Sequence, residues 1–276
     1  MTPSAGRRLA RHAVLLVAAV VFGYPFLWMV FGSLRPFADF FTNPWGPPGS
    51  PAWSNYAGAW EAGNVGLYFK NSVIVVACTV ALVCLVSFPL AFALSRIGFR
   101  GNRVLLGILA VALFVPMQFM VIPLFDLELR LHILNTYLAM ILPYSAGGIA
   151  FAAVFLSGYL SQIPRELQEA AMIDGAGYFT MMRRIFLPLS VPALATVVIF
   201  TFVNAWNELL IALTVTQTDN VRTLPVGLLN FTQSTGSTNY SLLFAALVIA
   251  TVPAIMLFLA CQRQFLGGLL SGAVKL

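Results

Sequence analysis

Two short stretches carry polar residues that an otherwise apolar chain does not explain. The first is Asn204-Ala205-Trp206-Asn207-Glu208, inside an apolar run over 191–213. Glu208 is the clearest ionisable group within such a run. A charge in hydrocarbon is costly, so it should face a protein interior or water. An aromatic face (Trp206), two amides (Asn204, Asn207) and a carboxylate (Glu208) suit a polyol and would line a sugar pathway. A structural role is equally open, with Glu208 near the outer interface and hydrogen-bonded to a neighbouring helix.

The second stretch is the polar segment 161–188. Pro164 suits the first turn of a helix, and Glu166 and Glu169 fall near the positive end of its dipole. Leu167, Ala171 and Asp174 share one face, and Ala170 and Ala171 leave that surface smooth. Gly175 permits a left-handed turn that most residues resist. A second short helix follows, with Phe179, Met182, Ile185 and Phe186 as its apolar stripe and Pro188 at its end. Spacing alone favours a knuckle that merely covers helix ends. A surface on which another protein seats is the alternative.

Other chemistry finds little support. No Gly-x-x-x-x-Gly-Lys-[Ser/Thr] loop occurs, and the two lysines, Lys70 and Lys275, lie in no such context, so the chain does not read as an ATPase. Cys78, Cys84 and Cys261 read as small apolar packing residues, without metal-ligand spacing to His. His12 and His132 are isolated, which leaves a membrane-embedded enzyme without its cluster of catalytic groups.

The elements that must position these residues follow from composition. Hydrophobic residues make up 60% of the chain and charged residues 9%, against roughly 25% charged in a soluble domain. That is too little charge to cover a water-facing surface. Six stretches approach the ~20 apolar residues that a bilayer core requires: 12–33, 71–94, 104–125, 136–157, 191–213 and 241–262. The reading is an all-α polytopic bundle of six transmembrane helices forming one domain over 1–276. The first stretch follows Arg7, Arg8 and Arg11 but exceeds a signal-peptide core and lacks a clear cleavage site, so it reads as a retained span. Pro25, Pro89, Pro116, Pro123, Pro143 and Pro253 fall within spans and predict kinks.

Orientation follows from the basic residues. Of the 15 Lys and Arg, eleven fall on the side holding both termini and segment 161–188, and four (Arg35, Lys70, Arg130, Arg222) on the other. The richer side is cytoplasmic, which puts both termini and the knuckle inside. The spread of the +6 net charge between apolar runs, without a basic patch, argues against nucleic acid. Trp45, Trp53, Tyr56 and Trp60 read as interfacial anchors on the outer side. The long polar segment Thr214–Asn239 is either a connecting loop or a functional one.

Glu169-Ala170-Ala171-x-x-Asp174-Gly175-Ala176, followed by Ile185-x-Leu187-Pro188, resembles the EAA loop of ABC-importer permeases. The closest likeness is to the carbohydrate-uptake group of the maltose and glycerol-3-phosphate type. Asn204-Ala-Trp206-Asn207-Glu208 and the tail Gln262-Arg263-Gln264-Phe265 to Ser271-Gly272-Ala273-Val274-Lys275 are similar to that family too. The family usually has Gly after that Lys, where this chain has Leu276.

The resemblance implies that segment 161–188 is a coupling helix, with Glu169, Ala170, Ala171, Asp174, Gly175 and Ala176 docking an ATPase subunit. It implies a passive subunit in a bacterial cytoplasmic membrane, with ATP and Mg bound by partners. Those partners would be a second related permease, two ATP-binding subunits and an extracytoplasmic solute-binding protein that part of Thr214–Asn239 probes. The substrate would be a carbohydrate, with glycerophosphate-type polyols second. The competing class is a secondary transporter, for which one buried acid is a poor supply of ion-coupling groups.

Overall fold

A computed structural model describes residues 5–42, 44–61, 63–233 and 238–273, with backbone alone at 5, 7–10, 233 and 263–273. Every regular element among them is helical. In chain order the α-helices are α1 (Ala5–Ser33), α2 (Ser54–Glu61), α3 (Val65–Phe92), α4 (Asn102–Ala112), α5 (Val121–Arg130), α6 (Leu138–Ser161), α7 (Glu166–Ile173), α8 (Tyr178–Met181), α9 (Leu187–Leu189), α10 (Val191–Trp206), α11 (Leu210–Val215), α12 (Leu224–Leu228), α13 (Asn230–Gln233) and α14 (Tyr240–Ala273).

Four segments are long and apolar enough to cross a membrane: Arg11–Ser33, Val65–Ile97, Leu138–Ser161 and Tyr240–Gln262. They match the expected runs 12–33, 71–94, 136–157 and 241–262. The other two expected runs are not straight helices. Asn102–Ala112 and Met117–Arg130 meet at a 90° bend, and Tyr178–Leu189 and Val191–Trp206 at a 76° bend. Counting each bent pair as one span gives six.

The breaks have local causes. Pro116 offers no N–H to the preceding turn and disfavours helical backbone at Val115, so α4 ends and a 3₁₀ turn (Met117–Met120) restarts the chain. At the second bend Pro192 falls in the first turn of α10, where proline is tolerated. The 76° bend falls just before the expected run 191–213, which itself breaks at 207–209, between α10 and α11. Pro25, Pro89, Pro143 and Pro253 remain inside continuous helices.

The chain divides into two compact units. In the first, Met1–Leu67 with Gly227–Val252, the turn after α1 is tightly bonded. Arg35 is buried and donates to the carbonyls of Pro44 (3.2 Å) and Gly46 (2.5 Å), and Trp28 Nε1 donates to Pro44 (2.6 Å). Phe40 stacks on Tyr240 at 5.2 Å, and Trp28 meets Phe244 edge-on at 4.9 Å. Trp45, Trp53 and Trp60 are largely exposed, as interfacial anchors would be.

The second unit, Tyr68–Val226 with Pro253–Leu276, holds a core of Val83, Phe88, Phe92, Ala152, Leu156, Leu160, Met181, Phe186 and Val197. Gly148 lets α6 approach α3 closely, since a Cβ there would lie 2.7 Å from Val83 Cγ2. The first part of segment Thr214–Asn239 is stitched to this unit. Asn71 Nδ2 donates to the carbonyls of Asn220 (3.0 Å) and Arg222 (2.9 Å), and the N–H groups of Gln217 and Thr218 donate to Asn135 Oδ1 at 2.9 and 3.0 Å. Residues 234–237 of that segment lie outside the described residues.

Candidate functional site

The knuckle forms as helix, Gly, helix. α7 ends at Ile173, and Gly175 takes φ +78°, the left-handed conformation expected of it. The Gly175 N–H donates to Met172 O at 3.0 Å and the Ala176 N–H to Ala171 O at 2.9 Å, closing the C-terminus of α7. On the inner side Ala171, Met181 and Phe186 enter the core of the second unit. On the outer side Glu169, Ala170, Asp174 and Gly175 are exposed and Ala176 is half-buried.

The apolar stripe expected for the second helix is split. Phe186 is fully buried, whereas Phe179 is 70% exposed. A π-helical turn over Met182–Phe186 shifts the angular register between them, so Met181 rather than Phe179 joins the core. Ile173 is exposed as well, at 86%. The outward face therefore combines two large apolar side chains with the acids Glu169 and Asp174.

The second group of polar residues centres on the break between α10 and α11. Glu208 accepts from the N–H groups of Ile211 (Oε1, 2.9 Å) and Ala212 (Oε2, 3.1 Å), which caps α11. Tyr144 of α6 donates its hydroxyl to Glu208 Oε2 at 2.6 Å. The carboxylate thus holds the broken helix open and ties it to α6, in line with the structural role. Glu208 also lines a cavity of about 720 Å³ within the second unit. That volume lies within the ~300–1,000 Å³ range of small-molecule sites.

The four candidate pathway residues separate. Asn204 and Glu208 lie on the cavity wall. Trp206 is buried elsewhere, stacked on Phe202 at 5.3 Å and edge-on to Phe69 at 5.8 Å. Asn207 is exposed and donates to Val203 O at 2.8 Å. Helical geometry accounts for this: residues 204 and 208 are one turn apart on one face, while 206 and 207 point away.

Spacing missed several wall residues. Gln118, Thr201, Phe151 and Phe200 also line the cavity. The Phe151 and Phe200 rings stack at 4.0 Å. Thr201 is 4% exposed, and its hydroxyl has no partner among the described residues. Thr201, Asn204 and Glu208 recur at the spacing of one helix face, a signal present in the sequence. A second acid is buried as well: Glu128, 2% exposed, with neither carboxyl oxygen partnered among the described residues. It follows the expected run 104–125 and so read as loop, whereas α5 extends to Arg130. Among the described residues no group of His, Cys, Asp and Glu is placed to hold a metal.

Comparison with known proteins decides the class. The family described as binding-protein-dependent transport system inner membrane component matches residues 85–267. The chain belongs to that family. The permease is 38% identical to the probable ABC transporter permease protein YurM of Bacillus subtilis, across 95% of this chain and 86% of that one. It is 32% identical to the diacetylchitobiose uptake system permease protein NgcG of Streptomyces coelicolor, across 99% and 91%. Its fold matches a crystal structure of a bacterial ABC transporter involved in the import of the acidic polysaccharide alginate, with TM-score 0.83 and 21% identity over 96% of this chain and 99% of that one. The permease is thus a membrane subunit of an ATP-driven importer, with hydrolysis on a separate subunit, and not a secondary transporter.

Proposed function

We propose that this permease forms half of a carbohydrate path across a bacterial cytoplasmic membrane, paired with a second, related permease. Two ATP-binding subunits hold ATP and Mg and dock on the loop 161–188 through Glu169, Ala170, Asp174, Gly175 and Ala176, while Ala171, buried in the core, supports that face from within. An extracytoplasmic solute-binding protein delivers the substrate. In this reading both termini and the loop lie on the cytoplasmic side, as the positive-inside bias implies.

The observation that carries this reading is the two-sided knuckle. Its inner residues are keyed into the bundle core, while Ile173, Phe179, Glu169 and Asp174 are all exposed. Large apolar side chains exposed on a water-facing loop mark a protein-binding surface. Small alanines allow close approach, and the acids can meet basic residues.

The carbohydrate class rests on the diacetylchitobiose and alginate importers named above and on the cavity wall. Asn204, Gln118 and Glu208 offer amide and carboxylate groups beside the Phe151–Phe200 pair, a mixture suited to a sugar's hydroxyls and C–H faces.

The test is purification of the tagged permease in mild detergent, followed by uptake in proteoliposomes with N,N′-diacetylchitobiose and related oligosaccharides as probes. An ATPase should co-purify and uptake should require ATP. A permease that arrives without any nucleotide-hydrolysing companion, or transports without ATP, overturns the reading.

A further inference from the structure

Arg96 sits at the junction of four elements. It lies in the π-helical turn Ala93–Ile97 that ends the second spanning segment and is 8% exposed. Its Nη2 donates to the carbonyl of Leu160 and, at 2.5 Å, to that of Ile163. The Leu160 carbonyl lies in the last turn of α6 and that of Ile163 just beyond the helix end, where the dipole favours a cation. The guanidinium carbon also lies 4.9 Å from the ring centroid of Phe186, in the second half of the knuckle. From the first half, Gln168 of α7 donates its Nε2–H to the backbone oxygen of Arg96 at 3.2 Å.

Capping α6 does not by itself account for this placement. Arg96 Nε is buried without a hydrogen-bond partner among the described residues, and a buried unpaired donor is costly. An arginine needed only as a cap would sit at the water-facing lip of the helix, with that donor hydrated. Here the side chain is drawn inward, over Phe186 and onto the carbonyls of Leu160 and Ile163, while the Arg96 backbone oxygen holds α7 through Gln168, so that one residue touches both halves of the knuckle and the end of α6.

We infer that Arg96 is the positioning residue that ties the docking loop to the second and fourth spanning helices, so that the loop cannot move without carrying them. The inference rests on reading 161–188 as the docking loop. Its mechanical consequence is specific. With the tie intact, closure of the ATPase pair must move the spans as well. With the tie cut, closure runs without that load, and ATP is hydrolysed without solute.

The experiment uses the whole complex in nanodiscs with ATP as the only added ligand, and hydrolysis is normalised to assembled complex. Arg96→Met should raise solute-free hydrolysis by about tenfold, the scale of one charge-assisted hydrogen bond. Arg96→Lys, which keeps the charge but not the planar fork, should raise it less. Phe186→Leu should raise it too, and the Arg96→Met/Phe186→Leu double variant should rise no further than the larger single effect, because both cut one contact. Where an Arg96 variant fails to assemble, Phe186→Leu cuts the guanidinium contact and Gln168→Ala the separate bond to the Arg96 backbone oxygen, and unchanged hydrolysis in both overturns the inference. Rates equal to or below wild type in assembled complexes, or additive effects in the double variant, overturn the inference. A wild-type permease that captures no ATPase instead overturns the docking reading beneath it.

Discussion

Replacing Glu208 by glutamine keeps the size of the side chain and one acceptor oxygen, but removes the charge addressed by Ile211, Ala212 and Tyr144. Bonds to a charged group contribute ~1.5–3 kcal/mol each, so Glu208→Gln should lower the melting temperature of the purified permease and slow transport. Tyr144→Phe should do the same more mildly, since α11 keeps its cap. Equal melting temperatures in all three proteins would show that the carboxylate does not hold the break. A cavity-wall residue should behave differently. Gln118→Ala removes an exposed amide of the cavity wall, so it should leave melting unchanged while raising KM for the transported sugar. An unchanged KM would remove Gln118 from the path. The polar cluster itself was legible in sequence, since Glu208 in an apolar run announces a specific environment. Its partners were not: Tyr144 lies 64 residues away, and no local pattern pairs residues across helices. Arg96 was legible only as a positive charge on the cytoplasmic side.

At the scale of elements, hydropathy found the apolar runs but not their bends. A window of ~20 residues registers a run as apolar whether it is straight or folded back, so 104–125 and 191–213 read as spans although both are broken. Pro116 marked the first break, but Pro89 and Pro143 lie in helices that continue, and proline alone does not distinguish the cases. The knuckle was more legible because Gly175 at the join and acids in the first turn of α7 are local rules. The π-helical turn that buries Phe186 and leaves Phe179 outside comes from packing against Phe92, 5.2 Å from Phe186. The approach of α6 to α3 rests on Gly148, where a Cβ would meet Val83 at 2.7 Å. Gly148→Leu should therefore cost ~1–3 kcal/mol by overpacking, read as a lower yield of folded permease in a detergent-stability assay. Gly147, with nothing near its Cβ position, should accept alanine at little cost. Equal tolerance at the two positions would contradict the packing described.

At the scale of the whole molecule, the excess of basic residues on one side predicts the topology. Single cysteines placed in a background lacking Cys78, Cys84 and Cys261 should separate by side: Arg100→Cys should react with an impermeant maleimide only from the cytoplasmic face, and Asp219→Cys only from the outer face. Family membership, the partners and the loop then reduce to one mechanical claim, that the exposed face around Ala170 is where an ATPase seats. The most direct measurement is site-specific cross-linking through Ala170→Cys in intact membranes. The account predicts a cross-link to the nucleotide-binding subunit, formed from the cytoplasmic side and altered when ATP is added. Reaction of that cysteine from the outer face, or failure to cross-link to any ATP-hydrolysing protein in a complex that transports, would contradict it.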